Sequence, residues 1–155
     1  MKVEKDYEEL FKLFNKHKIR YCIIGSYALA FHAKPRYTKD IDVLIEPSEK
    51  NSRRIVRALK EFGFENLSLS EEDFRTRGKI IQLGYEPLRV DLMTSVEGCS
   101  FGRAWKNRIK GIFGSEGVYF IGLDELIEVK KRSSRLQDQA DLVFLLEARR
   151  ARNKK

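Results

Sequence analysis

Two aspartates set two residues apart inside an apolar run constrain this chain more than any other feature. The run is "DIDVLIE", Asp40 to Glu46. In a β-strand, residues i and i+2 point to the same face, so Asp40 and Asp42 stand side by side while Ile41, Val43 and Ile45 face a core. Two ionised carboxylates this close repel, and one takes up a proton unless a cation neutralises them. Oxygen ligands with no His or Cys beside them favour Mg²⁺ or Mn²⁺ over zinc. The plainer alternative is an edge strand whose aspartates face solvent.

A third acid has similar surroundings. Asp91 lies in "LRVDLM", flanked by apolar residues in a second expected strand. If the two strands are neighbours, three carboxylates converge at one end of a sheet, an arrangement used with metal ions for displacement at phosphorus. Alone, Asp91 would be read as the partner of an arginine such as Arg89 or Arg36. Upstream, "YCIIGS" ends an apolar run in Gly25 and Ser26. Gly25 permits a sharp turn without a Cβ. Ser26 is expected to cap a helix whose free N–H groups and positive dipole end suit a phosphate. The intervening "AKPRYTK" puts Lys34, Arg36 and Lys39 on the approach to the acids. A Gly-Ser turn by itself is equally a plain turn with a cap.

Periodicity organises the rest. "DYEELFKLFNKHKI" reads as an amphipathic helix with Leu10, Phe11, Leu13 and Phe14 on one face. "EKNSRRIVRALKEF" is expected to form another, opened at Ser48 and closed by Gly63. "KIIQLG" and "LRVDLMT" suggest a hairpin. "SFGRAWKNRIKGIFG" suggests a short helix followed by a loop, and "GVYFIG" a last strand. Two helices, "LDELIEVKKRSS" and "LQDQADLVFLLEARRAR", close the chain, with the tail "RRARNKK" expected to fray. The prediction is one α/β (α+β) domain over residues 1–155, a small mixed β-sheet flanked by helices. Its core spans 21–95 and its C-terminal helical part 123–150.

No apolar run approaches the ~20 residues of a membrane helix, and "MKVEKDYEEL" lacks a signal-peptide core. Cys22 and Cys99 sit in no metal-like spacing, so a reducing, cytoplasmic setting without disulfides is expected. The formal charge is +8. Residues 101–155 carry 13 Lys and Arg against 7 Asp and Glu, so most of that excess is C-terminal. Such a bias fits an anionic partner, RNA or a nucleotide, or simply a solvated basic surface.

"IIGS", thirteen further residues, "DIDV" and a later "VDL" together resemble the DNA polymerase β-type nucleotidyltransferase superfamily. The "RYTKDID" form is similar to the AbiEii/AbiGii toxin-type enzymes and the minimal prokaryotic nucleotidyltransferases. A weaker likeness lies in "VKKRSSRLQDQADLVFLL". The resemblance implies a polymerase β-like fold with C-terminal helices. It also implies transfer of a nucleoside monophosphate from an NTP to an acceptor hydroxyl, with Mg²⁺ or Mn²⁺ as cofactor. It gives Asp40 and Asp42 to both metal ions, Asp91 to the catalytic metal and the acceptor, and Gly25 and Ser26 to the phosphates. Arg36 and Lys39 would meet the triphosphate, while Lys130 and Arg135 would face the nucleotide. For Lys130, a solvated helix face beside Lys131 and Arg132 is the competing reading. Asp138 and Asp141 are expected to pair with Arg135 or cap their helix.

The acceptor implied is RNA, particularly a tRNA 3′ end, or a hydroxyl of a partner protein in a toxin–antitoxin pair; aminoglycosides are also acceptors in the superfamily. A homodimer or second chain would extend the acceptor surface. A non-catalytic binding module or antitoxin subunit on the same fold stays open. His17 reads as solvated and His32 as structural. Trp105, near Arg103, Lys106 and Arg108, reads as a packing aromatic or a base-stacking platform.

Overall fold

The first helix, α1 (Lys2–Lys16), buries Tyr7, Leu10, Phe11 and Phe14, spaced to fall on one helical face. Tyr7 takes the place expected for Leu13, which is only partly buried. The computed structural model describes residues 2–35, 40–64, 69–85 and 88–154. Next come β1 (Tyr21–Ile24), α2 (Gly25–His32), β2 (Asp40–Ile45), α3 (Glu49–Phe62), α4 (Glu71–Arg75), β3 (Ile80–Tyr85) and β4 (Leu88–Met93). The chain continues through α5 (Phe101–Lys106), β5 (Ile109–Phe113), β6 (Glu116–Phe120), α6 (Leu123–Lys131) and α7 (Leu136–Asn153). The mixed α/β architecture follows the prediction.

The strands form one mixed sheet in the order β3-β4-β2-β1-β6-β5. β2 runs antiparallel to β1 and parallel to β4, and β3 and β4 form the expected hairpin. Tyr21 stacks on Phe11 at 5.4 Å between ring centroids, which puts α1 on the face of Tyr21 and Ile23. Cys22, pointing the other way, lies 3.6 Å from the Ala104 carbonyl, so α5 covers the opposite face. Apolar side chains on both faces explain why β1 is buried throughout.

Local chemistry fixes the α3 boundaries. The Ser48 side chain accepts from Asn51 N, and Gly63 adopts φ 118°, a conformation that closes the helix where a Cβ would be strained. Buried Asn51 ties the neighbouring strand ends together: its Oδ1 accepts from Arg20 N at 2.8 Å, and its Nδ2 donates to the carbonyls of Arg20 and Glu46.

Several expectations are corrected. The segment after α5 is β5, an edge strand, where a loop was expected. Gly111 and the exposed residues around it remove the alternation that normally marks a strand. α4 begins in a capping box between Ser70 and Asp73. It is too short for a periodic signal. Ser26 lies inside the first turn of α2, which has Ile24 at its cap position, because Gly25 turns the chain at φ 70°. The tail is helical to Asn153, held where Arg152 Nη2 donates to His32 Nδ1 at 3.1 Å. No helix among the described residues is long and apolar enough to cross a membrane.

Candidate functional site

The sheet register brings the three acids together. Asp42 of β2 is paired with Asp91 of β4, and Asp40 with Arg89. Directly opposed residues share a face, so Asp40, Asp42, Arg89 and Asp91 project together, while Ile41, Val43, Val90 and Leu92 are buried on the other side. On its other flank Asp42 is paired with Ile24, the last residue of β1, so Gly25 follows immediately beside the Asp42 carboxylate. A Cβ on Gly25 would come within 3.1 Å of both Cβ and Cγ of Asp42. With φ at 70°, glycine is required here for the turn and for the close approach alike.

The electrostatics are those of a crowded anionic site. Burial pushes the Asp42 carboxyl up to about 6, and the charges of Asp91 and Asp40 add to the shift, against Lys130 and Arg89. Arg89 is a cation on the same face. Its Nε and Nη2 donate to the two oxygens of Asp91, each at 3.2 Å, and its Nη1 lies 3.7 Å from Asp40. The bond to Asp91 raises the Arg89 guanidinium further above its ordinary value. Tyr7 braces the strand by donating its hydroxyl to the Arg89 carbonyl at 3.0 Å. With Arg89 bridging two of the acids, no three carboxylate, imidazole or thiol groups among the described residues close on a point as a metal cage would. The donor chemistry fits a hard dication all the same: oxygen donors on one face, with Asp42 raised by negative neighbours.

Lys130 is buried, not solvated. It donates to Asp138 at 2.7 Å and to Asp141 at 3.1 Å, and its charge reaches Asp42. Those two aspartates therefore pair with Lys130 rather than with Arg135. Burial raises the Asp138 carboxyl, but bonds from Lys130 and Ser133 outweigh this and hold it below the usual range. Arg135 is exposed at the cap of α7, and no contact among the described residues joins it to the three acids. Lys34 lies over the Phe144 ring at 4.2 Å. Arg36 and Lys39 lie outside the described residues. Ser26 is half-buried in the turn after Gly25. His32 is buried, with Nε2 2.6 Å from the Ile121 carbonyl. Trp105 has the Arg108 guanidinium over its ring at 3.7 Å and Tyr119 at its edge.

One contributor stands apart from the sequence reading: Tyr7 carries no signal beyond its place on a helical stripe. The pairing of Arg89 with Asp91 is one the sequence offered, since i,i+2 spacing in a strand puts them on the same face.

No curated protein sequence matches the chain significantly. Among solved structures, the crystal structure of the lincosamide antibiotic adenylyltransferase LnuA, lincomycin-bound, is similar in fold, with a TM-score of 0.59 at 13% identity. The match covers 93% of this chain and 96% of that one. Residues 1–145 match the family described as "Nucleotidyltransferase of unknown function (DUF6036)". The chain, with a nucleotidyltransferase-like fold and the acids and glycine turn gathered on one sheet face, belongs to that nucleotidyltransferase family.

Proposed function

We propose that the protein transfers a nucleoside monophosphate from an NTP to an acceptor hydroxyl, releasing pyrophosphate. The observation that carries this reading is the register pairing of Asp42 with Asp91, with Asp40 on the same face and the Gly25 turn against them. Mg²⁺ or Mn²⁺ held by Asp40, Asp42 and Asp91 would supply Lewis acidity at the acceptor oxygen and neutralise charge on the leaving pyrophosphate. Gly25 and Ser26 hold the β- and γ-phosphates at the start of α2, where a Cβ-free turn lets the backbone approach. Asp91 orients the acceptor hydroxyl and takes its proton. Arg36 and Lys39 meet the triphosphate, and Arg135 reaches the nucleotide from α7. Lys130, through Asp138 and Asp141, fixes α7 against α6 and holds positive charge toward Asp42.

The acceptor class we assign is RNA, supported by the basic C-terminal third of the chain. A partner-protein hydroxyl, as in a toxin–antitoxin pair, is the competing acceptor. Small size does not count against turnover, because the similar adenylyltransferase has nearly the same extent of chain. The pairing of Arg89 with Asp91 favours one second reading, a binding module without turnover. The test uses α-labelled ATP, GTP, CTP and UTP with Mg²⁺, total RNA and cell extract, with wild type beside Asp42→Asn. Label entering RNA with wild type alone supports the proposal, and label on a protein band reassigns the acceptor. Full transfer by Asp42→Asn overturns the mechanism. Metal-dependent NTP binding without any transfer supports the binding module.

A further inference from the structure

At the opposite end of the sheet from the acids lies a groove of about 650 Å³, lined by Lys18, Arg20, Lys50, Arg54 and Lys110. The end of α1, the start of α3 and the β5–β6 hairpin bring these cations together, though they are far apart in sequence. Among the described lining residues Glu116 is the single carboxylate, and it accepts from Asn15 Nδ2 at 2.9 Å. Arg20 is shared with Glu46 at 3.3 Å. Lys18, Lys50, Arg54 and Lys110 form no ion pair with any described residue. Unpaired like charges around a concavity repel one another, and so favour binding of an anion that bridges them.

Trp105 and Tyr119 form an aromatic wall. Arg108 stacks on both rings, at 3.7 Å and 4.9 Å, and Arg20 lies 5.5 Å from the Trp105 ring. These contacts fix two guanidinium groups while leaving N–H edges for acceptors. Arg108 itself is not one of the lining residues, and its Nη1 donates to the Trp105 carbonyl at 2.7 Å. The Arg54 guanidinium is held by the Lys18 carbonyl at 3.0 Å. The two lining arginines, Arg20 and Arg54, are thus positioned before any ligand arrives.

We propose that this groove docks the phosphodiester backbone of single-stranded RNA, forming an exosite for the acceptor. The assignment rests on the nucleotidyl-transfer reading for the word acceptor alone; the groove's affinity for RNA is a separate property. From Arg20 to Ile24, which borders Asp42, is four strand residues, about 13 Å. That span runs through the buried strand β1, so an RNA held at the groove reaches the acids around the outside of the sheet. A backbone ligand, with a phosphate at every nucleotide, explains the number of cations around the groove.

The test measures binding of a fluorescein-labelled RNA of about 12 nucleotides by anisotropy, without NTP or metal, between about 50 and 200 mM salt. Wild type is compared with Lys50→Glu/Lys110→Glu, with the milder Lys50→Gln/Lys110→Gln, and with Asp42→Asn. Lys50 and Lys110 are exposed, so both double variants are expected to fold. The charge reversal should weaken binding on the order of ten-fold or more, and the Gln pair should flatten the salt slope by about 1.4. Asp42→Asn should bind as wild type. Unchanged affinity and slope in both double variants overturn the exosite, even where wild type labels RNA. Competition by inorganic tripolyphosphate as effective as by RNA, at equal phosphate, overturns it in favour of a small-anion site. Equal affinity for DNA of the same length supports backbone docking. Groove-dependent RNA binding with no label transfer supports the docking site while removing the transfer reading.

Discussion

Gly25 and Asp42 are in such close approach that any side chain at residue 25 would enter the space of the Asp42 carboxylate. The two lie on adjacent strand ends, one turning the chain into α2 and the other in the centre of the acidic face. The substitution Gly25→Ala therefore combines backbone strain at positive φ with displacement of a site carboxylate. Stability should fall by about 1–3 kcal/mol. Transfer activity should fall on the order of 100-fold, since displacements of this kind act directly on alignment. Thermal melting and single-turnover labelling check the two parts separately.

Asp42 makes metal-free stability depend on pH. Its carboxyl is raised from 3.8 to about 6, so the folded state binds this proton more tightly than the unfolded chain does. Its contribution is fully present below pH 3.8 and is lost as the pH rises through about 6. At pH 8 in chelator, Asp42→Asn should raise the melting temperature by about 2–8 °C, corresponding to about 1–3 kcal/mol. Mg²⁺ should stabilise wild type at pH 8 and have a much smaller effect on the variant. A lower melting temperature for Asp42→Asn in chelator would contradict this account of the site's charge.

Lys130 is the cation of a buried triad. Removing it in Lys130→Met takes from Asp138 and Asp141 the buried cation they share, a loss of about 3–5 kcal/mol. The triple variant Lys130→Met/Asp138→Asn/Asp141→Asn should recover much of that loss. Asp138 is held below the usual range, so its share is present above about pH 4 and fades as pH falls further. Urea titrations of wild type and the two variants at pH 7 and pH 3 measure both effects.

Asn51 serves the scaffold and not the chemistry. Asn51→Ala leaves the Arg20 N–H and the Glu46 carbonyl without this partner, and the Arg20 carbonyl with the Glu46 N–H alone, lowering stability by about 2–3 kcal/mol. NTP binding measured well below the melting temperature should match wild type.

The acids were legible in the sequence because a strand's two-residue period fixes which side chains share a face. Asp40 and Asp42 needed only that, and Asp91 needed the further expectation that its strand is a neighbour. β5 was hidden for the converse reason. It lies at a sheet edge with Lys110 and Ile112 both exposed, so burial imposes little pattern on it. The Lys130 triad was missed because a basic cluster at a helix end gives no sign of which lysine turns inward. That depends on how α6 meets α7, a tertiary relationship that local periodicity does not encode. The same holds for Arg152, which looks like part of a charged tail until His32 is placed beside it.

Arg89 gives the acidic face a resident counter-ion carried on its own strand. The sheet closes with two of its three carboxylates already met by a cation of the protein. A dication reaching Asp40 and Asp91 would displace a guanidinium instead of neutralising bare charge, and its net gain would be correspondingly smaller. Occupancy by metal alone would then be weak at modest concentrations and would strengthen when a triphosphate arrives, offering the released Arg89 an anion of its own. Chemistry would be coupled to substrate by competition among cations, with no moving lid required.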